Sequence, residues 1–296
     1  AVAVSGGPDS MSLSFLVNAF IKYKKGKLMA LIVDHRIRKN SKEEAKFIST
    51  YLGKNNINSK ILTVNKDKVS KKSMNEARNN RYNLLTDFCI KNNILHLFIA
   101  HHKDDNLETF LNRKIAGSDF YGLKSMSELS VYNKVCIIRP LLNFSKEILL
   151  DYNKKNKIKY INDPTNLNLD YTRPTIRSFF KNSDQKTIKE IHKDFDNILF
   201  YSPYFIQMIF EILLKNIVKI DSKKIIVGLD NMKNLNEINS ENIIRRIYQF
   251  LFYGSNAPRS KKTRILINEI KKLNFEYFNI RGMIVKKNDD FLTFSK

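Results

Sequence analysis

The sequence predicts an α/β fold: a parallel sheet with helices on both faces, followed by a smaller, mainly helical domain. Two observations carry this. Short apolar runs, "AVAV" (1–4), "LMALIV" (28–33), "SKILTV" (59–64) and "LHLFIA" (95–100), alternate with helical patterns near 10–24, 41–56, 73–92 and 103–115. Strands and helices in strict alternation imply a parallel sheet covered on both faces. After about residue 140 the pattern changes, and from about 184 it reads mainly as helices. The boundary near 182 gives a first domain over 1–182 and a second over 183–296.

The first strand runs into "SGGPDS" (5–10). Strand, glycine-rich turn and helix form a geometry that aims free backbone amides at an anion. Gly6 and Gly7 can take positive φ and let the backbone approach a phosphate closely. Ser5 and Ser10 add hydroxyl donors, and Asp9, behind Pro8, either caps the helix or holds Mg²⁺. The loop is neither GxGxxG nor a Walker A motif, which needs a lysine after its last glycine. An ordinary Gly-Gly turn is the competing reading, and the position after the first strand favours the anion.

The second strand ends in "LIVDHR", which puts Asp34 where nucleotide-contacting residues stand in such folds, although a capping role is the plainer one. Ser41 followed by Glu44 predicts a capping box for the next helix. In "NEARNNRY" (75–82) Arg78 and Arg81 stand at i, i+3, either as a phosphate-contacting pair or as a solvated face.

The fourth strand leads into "AHHKDDNLET" (100–109). On a helix, Leu107, Phe110 and Leu111 share the face that packs on the sheet. His101, Asp105 and Glu108 form a different stripe, with Asp104 beside it. Such carboxylates repel one another unless a cation joins them, so the stripe suits Mg²⁺ or a substrate ammonium. A solvated acidic helix start accounts for Asp104 and Asp105 through the macrodipole and less well for Glu108. Zinc ranks below both, because HExxH is absent and adjacent histidines diverge by about 100° on a helix.

"INDPTNLNLDYTRPTIR" (161–177) reads as an ordered loop entering a helix, with Pro174 in its first turn. Helices follow in "KTIKEIHKDFDNILFYS", "PYFIQMIFEILLKNIVKI", "SENIIRRIYQFLFYG" and "RSKKTRILINEIKKL". The closing stretch reads as short strands with a turn at Asn288-Asp289-Asp290.

Composition bounds the function. The chain has 296 residues, 43% of them hydrophobic, which excludes a disordered tail. Against 29 acids stand 52 Lys and Arg, a net charge of +23. That excess points to a polyanion, either nucleic acid or an acidic membrane surface, with a solvated lysine-rich exterior as the bland alternative. Interleaved aromatics, 20 Phe and 13 Tyr, suit RNA. Cys89 and Cys136 form no CxxC, which excludes a disulfide framework or a cysteine zinc site and predicts a reducing, cytoplasmic setting with no disulfide partner. No run approaches the roughly 18 apolar residues of a membrane span, and no signal pattern opens the chain.

Several stretches together resemble the tRNA(Ile)-lysidine synthetases of the PP-loop ATP pyrophosphatase superfamily: "VAVSGGPDSMSL", "IVDHRIRKNSKEEA", "NEARNNRY", "AHHKDDNLET", "GLKSM", "RPLL", "DPTN" and "RPTIR". The first of them marks the superfamily, and "AHHKDDNLET" with "DPTN" is more specific. The resemblance implies a sheet of PP-loop ATPase type, with ATP and Mg²⁺ as cofactors. It implies a ligase that adenylates the C2 oxygen of the wobble cytidine in CAU-anticodon isoleucine tRNA and lets the ε-amine of free L-lysine displace AMP. Carried over by position, ATP contacts fall to Ser5, Gly6, Gly7, Pro8, Asp9, Ser10 and Asp34, and metal contacts to Asp9 and Asp104. Catalysis falls to His102, Asp104, Asp105 and Glu108, with lysine at Asp105 and Glu108. Contacts to tRNA are expected from Arg78, Arg81, Arg173, Arg177, Arg245, Arg246 and Arg264, with Lys261 and Lys262 beside the last.

The chain departs from the family at Asn106 (usually Gln), across "NRKIAG" (112–117) and at Pro174 (usually Asn). It opens without Met and is shorter than many relatives, which predicts a trimmed or incomplete amino terminus and no separate final domain. Two other functions compete. A PP-loop tRNA sulfur transferase shares the loop but needs cysteines to carry sulfur. A non-catalytic RNA-binding relative would not need Ser5, Asp9, Asp105 and Glu108 intact.

Overall fold

The computed structural model describes residues 1–34, 36, 40–64, 74–118, 120–161, 172–253, 255 and 257–296, apart from the side chains of residues 74, 75, 77 and 172–174. The chain divides into two compact units, Ala1–Ala116 with Lys124–His192, and Gly117–Leu123 with Lys193–Lys296.

The first unit is built on six strands: β1 (Val2–Val4), β2 (Ala30–Asp34), β3 (Ser59–Thr63), β4 (His96–Phe98), β5 (Leu129–Tyr132) and β6 (Val135–Ile138). Their order is β3-β2-β1-β4-β6-β5, parallel except for the β5–β6 hairpin. Helices α1 (Pro8–Tyr23), α2 (Ser41–Lys54), α3 (Met74–Lys91) and α4 (Lys103–Ile115) follow the first four strands, and α6 (Lys146–Lys155) and α7 (Thr172–Asn182) come after the hairpin. The alternation read from the sequence is thus present element by element.

Because side chains alternate along a strand, β2 feeds both faces of the sheet. Ala30 and Ile32 enter a core with α1, α2 and α6 residues such as Met11, Ile48 and Leu149. Leu31 enters a second core with Leu85 and Cys89 of α3. Both faces are therefore covered, as near-continuous apolar strands require. Cys89 and Cys136 are free thiols.

In the second unit, α5 (Phe120–Leu123), α8 (Gln185–Asn216), α9 (Leu229–Asn234), α10 (Glu237–Leu251) and α11 (Ser260–Ile270) accompany an antiparallel sheet, of which α8 contributes its part beyond His192. That sheet comprises β7 (Ile217–Ile220), β8 (Lys224–Gly228), β9 (Tyr277–Ile280), β10 (Met283–Asn288) and β11 (Phe291–Ser295), in the order β7-β8-β11-β10-β9. The last three are the closing strands expected from the sequence. β7 takes the "IVKI" that reads as the end of a helix, and β8 pairs with it.

Helix α8 also alters one sequence expectation. It contains an 18-residue window of mean hydropathy 1.3 and is the one described helix long and apolar enough to cross a membrane by length and composition. Its Ile209 and Leu213 pack into the core of the second unit with Ile244 and Leu266.

Candidate active site

β1 and β4 are neighbours, with β2 and β3 running outward on one side and β6 and β5 on the other. Strand order reverses between them, and open α/β sheets bind ligands in the crevice at such a switch, beyond the carboxyl ends of the strands. The loops that leave β1 and β4 carry "SGGPDS" and "AHHKDD".

In the first loop only Gly6 has a positive φ, +87°. A Cβ there would stand 3.1 Å from Ile48 Cγ1. Gly7 does not use that freedom: it is extended, φ −73° and ψ 165°, as the N-cap of α1. Ser10 closes the loop on itself. Its hydroxyl donates to the Gly7 carbonyl at 3.0 Å, accepts the Ser5 N–H at 3.2 Å and lies 3.1 Å from the Ser5 hydroxyl. Pro8 opens the helix, and no side chain caps it. The first-turn amides are thereby left for an anion.

Asp9 does not cap α1. Its Oδ1 is buried without a hydrogen-bond partner among the described residues. Burial pushes the Asp9 carboxyl above its ordinary range, against the pull of His102, Lys146 and Arg177. A buried carboxylate oxygen with nothing to accept is the donor that fits a cation at this point. Among the described residues, no group of three or more His, Cys, Asp or Glu is arranged to hold a metal ion.

The loop is held from behind. Asn153 of α6, 1% exposed, donates to the Pro8 carbonyl at 2.9 Å, and its Oδ1 lies 2.9 Å from the Ser12 hydroxyl. Across the loop, the Ile161 N–H donates to the Gly6 carbonyl at 2.8 Å.

At the end of β4, His102 is the N-cap of α4, and its N–H donates to Asp105 Oδ2 at 3.3 Å. Its imidazole, 2% exposed, sits among three carboxylates. Asp105 Oδ2 and Asp9 Oδ2 lie 3.4 and 3.7 Å from Nε2. Asp104 Oδ2 lies 3.3 Å from Nδ1, close but without hydrogen-bond alignment. Burial opposes the imidazolium, yet the three acids outweigh it and hold His102 above its ordinary value. Asp104 in turn is held below the carboxylate range, by His102 first and then by the Lys146 N–H. That N–H donates to Asp104 Oδ2 at 2.7 Å, so this acid also holds the first turn of α6.

Further along α4, Glu108, 5% exposed, accepts from the Arg177 guanidinium of α7 through both oxygens, and Arg177 Nη2 lies 3.8 Å from Asp105 Oδ1. The Glu108 hydrogen bond, backed by the charges of Asp105 and Asp9, raises the Arg177 guanidinium despite its burial. Arg177, expected on tRNA, therefore lies on the acidic stripe. His101 corrects the helical stripe, since it precedes α4. Its Nδ1 accepts from Arg139 Nε at 3.2 Å, and Arg139 Nη1 donates to the Ser127 carbonyl and the Ser130 hydroxyl, both at 2.9 Å. Arg139, 7% exposed, stands in the "RPLL" motif, and a motif gives no hint of such a partner.

Asn106 keeps the function of an amide despite its shorter stem. It accepts from the Met126 N–H at 2.8 Å and donates to the Met126 carbonyl at 3.5 Å. Arg113 of "NRKIAG" donates to the neighbouring Ser125 carbonyl at 3.3 Å.

Asp34 ends β2, buried, and its Oδ1 accepts from the Arg36 N–H at 2.9 Å and the Ser41 hydroxyl at 2.8 Å. The Ser41 capping box is therefore not formed. Asn40 is the N-cap of α2, and the Ser41 hydroxyl serves Asp34 instead. Arg78 and Arg81 of α3 both lie over the Tyr82 ring, at 5.6 and 5.8 Å. His35, "DPTN" and the Arg173 and Pro174 side chains lie outside the described residues.

In the second unit, Arg264 Nε lies 3.1 Å from Glu237 and 3.4 Å from Glu241, and Arg245 lies 3.7 Å from Glu241. Arg246 stacks over the Tyr121 ring at 3.6 Å. Lys261 and Lys262 are exposed on α11.

Comparison with known proteins extends this geometry. The PP-loop domain family matches residues 1–183. The chain is 42% identical over 192 residues to a tRNA(Ile)-lysidine synthase of Wolbachia pipientis wMel, and 40% identical over 190 residues to that of Wolbachia sp. subsp. Brugia malayi (strain TRS). Each match covers 64% of this chain and 44% of the relative, so the chain spans less than half the length of the curated relatives it matches. Among solved structures, the U34-tRNA thiolase NcsA from Methanococcus maripaludis is similar in fold, with a TM-score of 0.54 at 19% identity over 67% of this chain and 70% of that one.

Proposed function

Because this chain belongs to the PP-loop domain family, we propose that it binds ATP at "SGGPDS" and joins free L-lysine to C2 of the wobble cytidine in CAU-anticodon isoleucine tRNA, forming lysidine. One observation carries the proposal: an uncapped, lysine-free anion loop stands against a buried acidic helix start at the switch point of the sheet. The names of the relatives supply the substrate class.

The amides of the first turn of α1, with the Ser5 and Ser10 hydroxyls, receive the pyrophosphate of ATP. Asp34 stands at the end of β2, on the nucleotide side. Asp9 and Asp104 would hold Mg²⁺, which when bound offsets charge on the leaving pyrophosphate. The cytidine C2 oxygen attacks the α-phosphorus, the α–β bond breaks, and an adenylated base remains. His102 fixes the start of α4, and its three acids favour the charged imidazolium beside the loop. Asp105 and Glu108 receive the lysine ammonium, Glu108 while also accepting from Arg177, and Asp105 takes the proton that frees the ε-amine. The amine attacks C2, and AMP leaves. The net charge of +23 suits the tRNA, and a cytoplasmic setting supplies tRNA, ATP and lysine together.

A lysine-free loop suits pyrophosphate as the leaving group. With tRNA present, AMP and pyrophosphate are the expected products, resolved by chromatography of labelled ATP. ADP and orthophosphate as the main products would refute the assignment. A sulfur transferase is the second reading, and two free thiols separated in sequence give it little support.

A further inference from the structure

The stretch "KKNKIKY" (154–160) leaves the end of α6 with four lysines and no acid. Lys154, Lys155, Lys157 and Lys159 are all exposed. An unsupported lysine run is normally a solvated tail, but this one is pinned at both ends. The Tyr51 hydroxyl of α2 accepts the Lys159 N–H at 3.0 Å and donates to the Lys157 carbonyl at 3.4 Å. Two residues on, the Ile161 N–H donates to the Gly6 carbonyl of the anion loop at 2.8 Å. Ile158 between them is buried, which anchors the strap while its lysines point outward.

Beside the strap lies an aromatic surface. Tyr51 stacks on Phe47 with ring centroids 6.5 Å apart and planes 11° apart, and Phe47 is 48% exposed. A flat ring beside a run of exposed cations matches the two parts of a single RNA strand, bases that stack and phosphates that need counter-charge. A membrane surface would call for a broad apolar face instead, and the strap offers lysines around one ring pair.

We propose that the Tyr51-pinned strap, with Phe47 beside it, is an RNA-binding surface of the first unit, continuous with the loop that receives ATP. It rests on the reading of an RNA substrate and adds a place where the strand lies, separate from the basic residues of the second unit. In it, Tyr51 is a positioning residue, the lysines contact phosphates and Phe47 stacks a base.

The test uses the full chain with two RNAs, CAU-anticodon isoleucine tRNA and an unrelated tRNA of the same length. Affinity is measured against salt for the wild type, for Lys154→Gln/Lys155→Gln/Lys157→Gln/Lys159→Gln and for Phe47→Ala. Each lost phosphate contact lowers the slope of log K against log salt by about 0.7–0.9, so the quadruple variant is expected to lose roughly three units of slope. Phe47→Ala is expected to bind roughly tenfold more weakly or worse at an unchanged slope, and ATP affinity stays at the wild-type value in both. An unchanged slope in the quadruple variant overturns the proposal. So does a wild-type chain that binds neither RNA, or one that binds only vesicles of phosphatidylserine. Intact, strap-dependent RNA binding without lysidine formation leaves this surface standing and refutes the functional reading alone.

Discussion

At the scale of single residues, the site divides its acids by what faces them. Asp9 has one buried, unanswered oxygen, Asp104 holds the start of a second helix, Asp105 faces His102, and Glu108 faces Arg177. If Asp105 and Glu108 serve lysine, Asp105→Asn and Glu108→Gln each remove one charge-assisted contact, worth about 1.5–3 kcal/mol. Both variants are then expected to form adenylated tRNA yet to need at least tenfold more lysine. Quench-flow assays that separate the adenylate from lysidine check this, and loss of the adenylate with unchanged lysine affinity assigns the stripe to Mg²⁺. The His102 imidazole, raised above 6.5, contributes stability that is full below 6.5 and fades as pH rises through its shifted value. Asp104, lowered from 3.8, contributes stability that is full above 3.8 and fades as pH falls through its own. The pair therefore supports the fold fully between those two values. NMR titration is expected to place His102 above 6.5, and Asp104→Asn is expected to lower it. A wild-type midpoint at or below 6.5 contradicts the three-acid arrangement.

At the scale of elements, the loop after β1 depends on one backbone geometry. Gly6→Ala places a Cβ in a positive-φ position, at a cost of about 1–2 kcal/mol, with a 3.1 Å contact to Ile48 added. The expected outcome is a lower urea midpoint together with weaker ATP binding, whereas wild-type affinity for ATP would dissociate the loop from the nucleotide. The first four strands and their helices were legible in the sequence because their apolar runs are short and separated by clear helical patterns. The strand β7 was not, because "IVKI" follows a long apolar helix and a short apolar run has no periodicity of its own. The site was legible as motifs and illegible as pairs. Nothing local joins Glu108 to Arg177, Arg139 to His101 or Tyr51 to Lys159, since each pair meets only through the sheet and the helices upon it. Ser41 is the converse case: a good local capping pattern yields to a buried carboxylate that needs a donor.

At the scale of the whole molecule, two units with separate cores carry a large positive charge, and the candidate site sits in the first. Three arginines of the second unit are already engaged, Arg245 and Arg264 by acids and Arg246 by a ring, so an RNA bound there would have to compete with those contacts. Loop, acidic helix and charge together support the proposal that ATP is spent to place lysine on a tRNA base. The most direct measurement is mass spectrometry of the nucleosides from CAU-anticodon isoleucine tRNA after incubation with the chain, ATP, Mg²⁺ and L-lysine. Lysidine is expected in place of the wobble cytidine, dependent on both ATP and lysine. Unmodified cytidine from a folded, tRNA-binding chain, or a thiolated nucleoside when a sulfur donor is added, would contradict it.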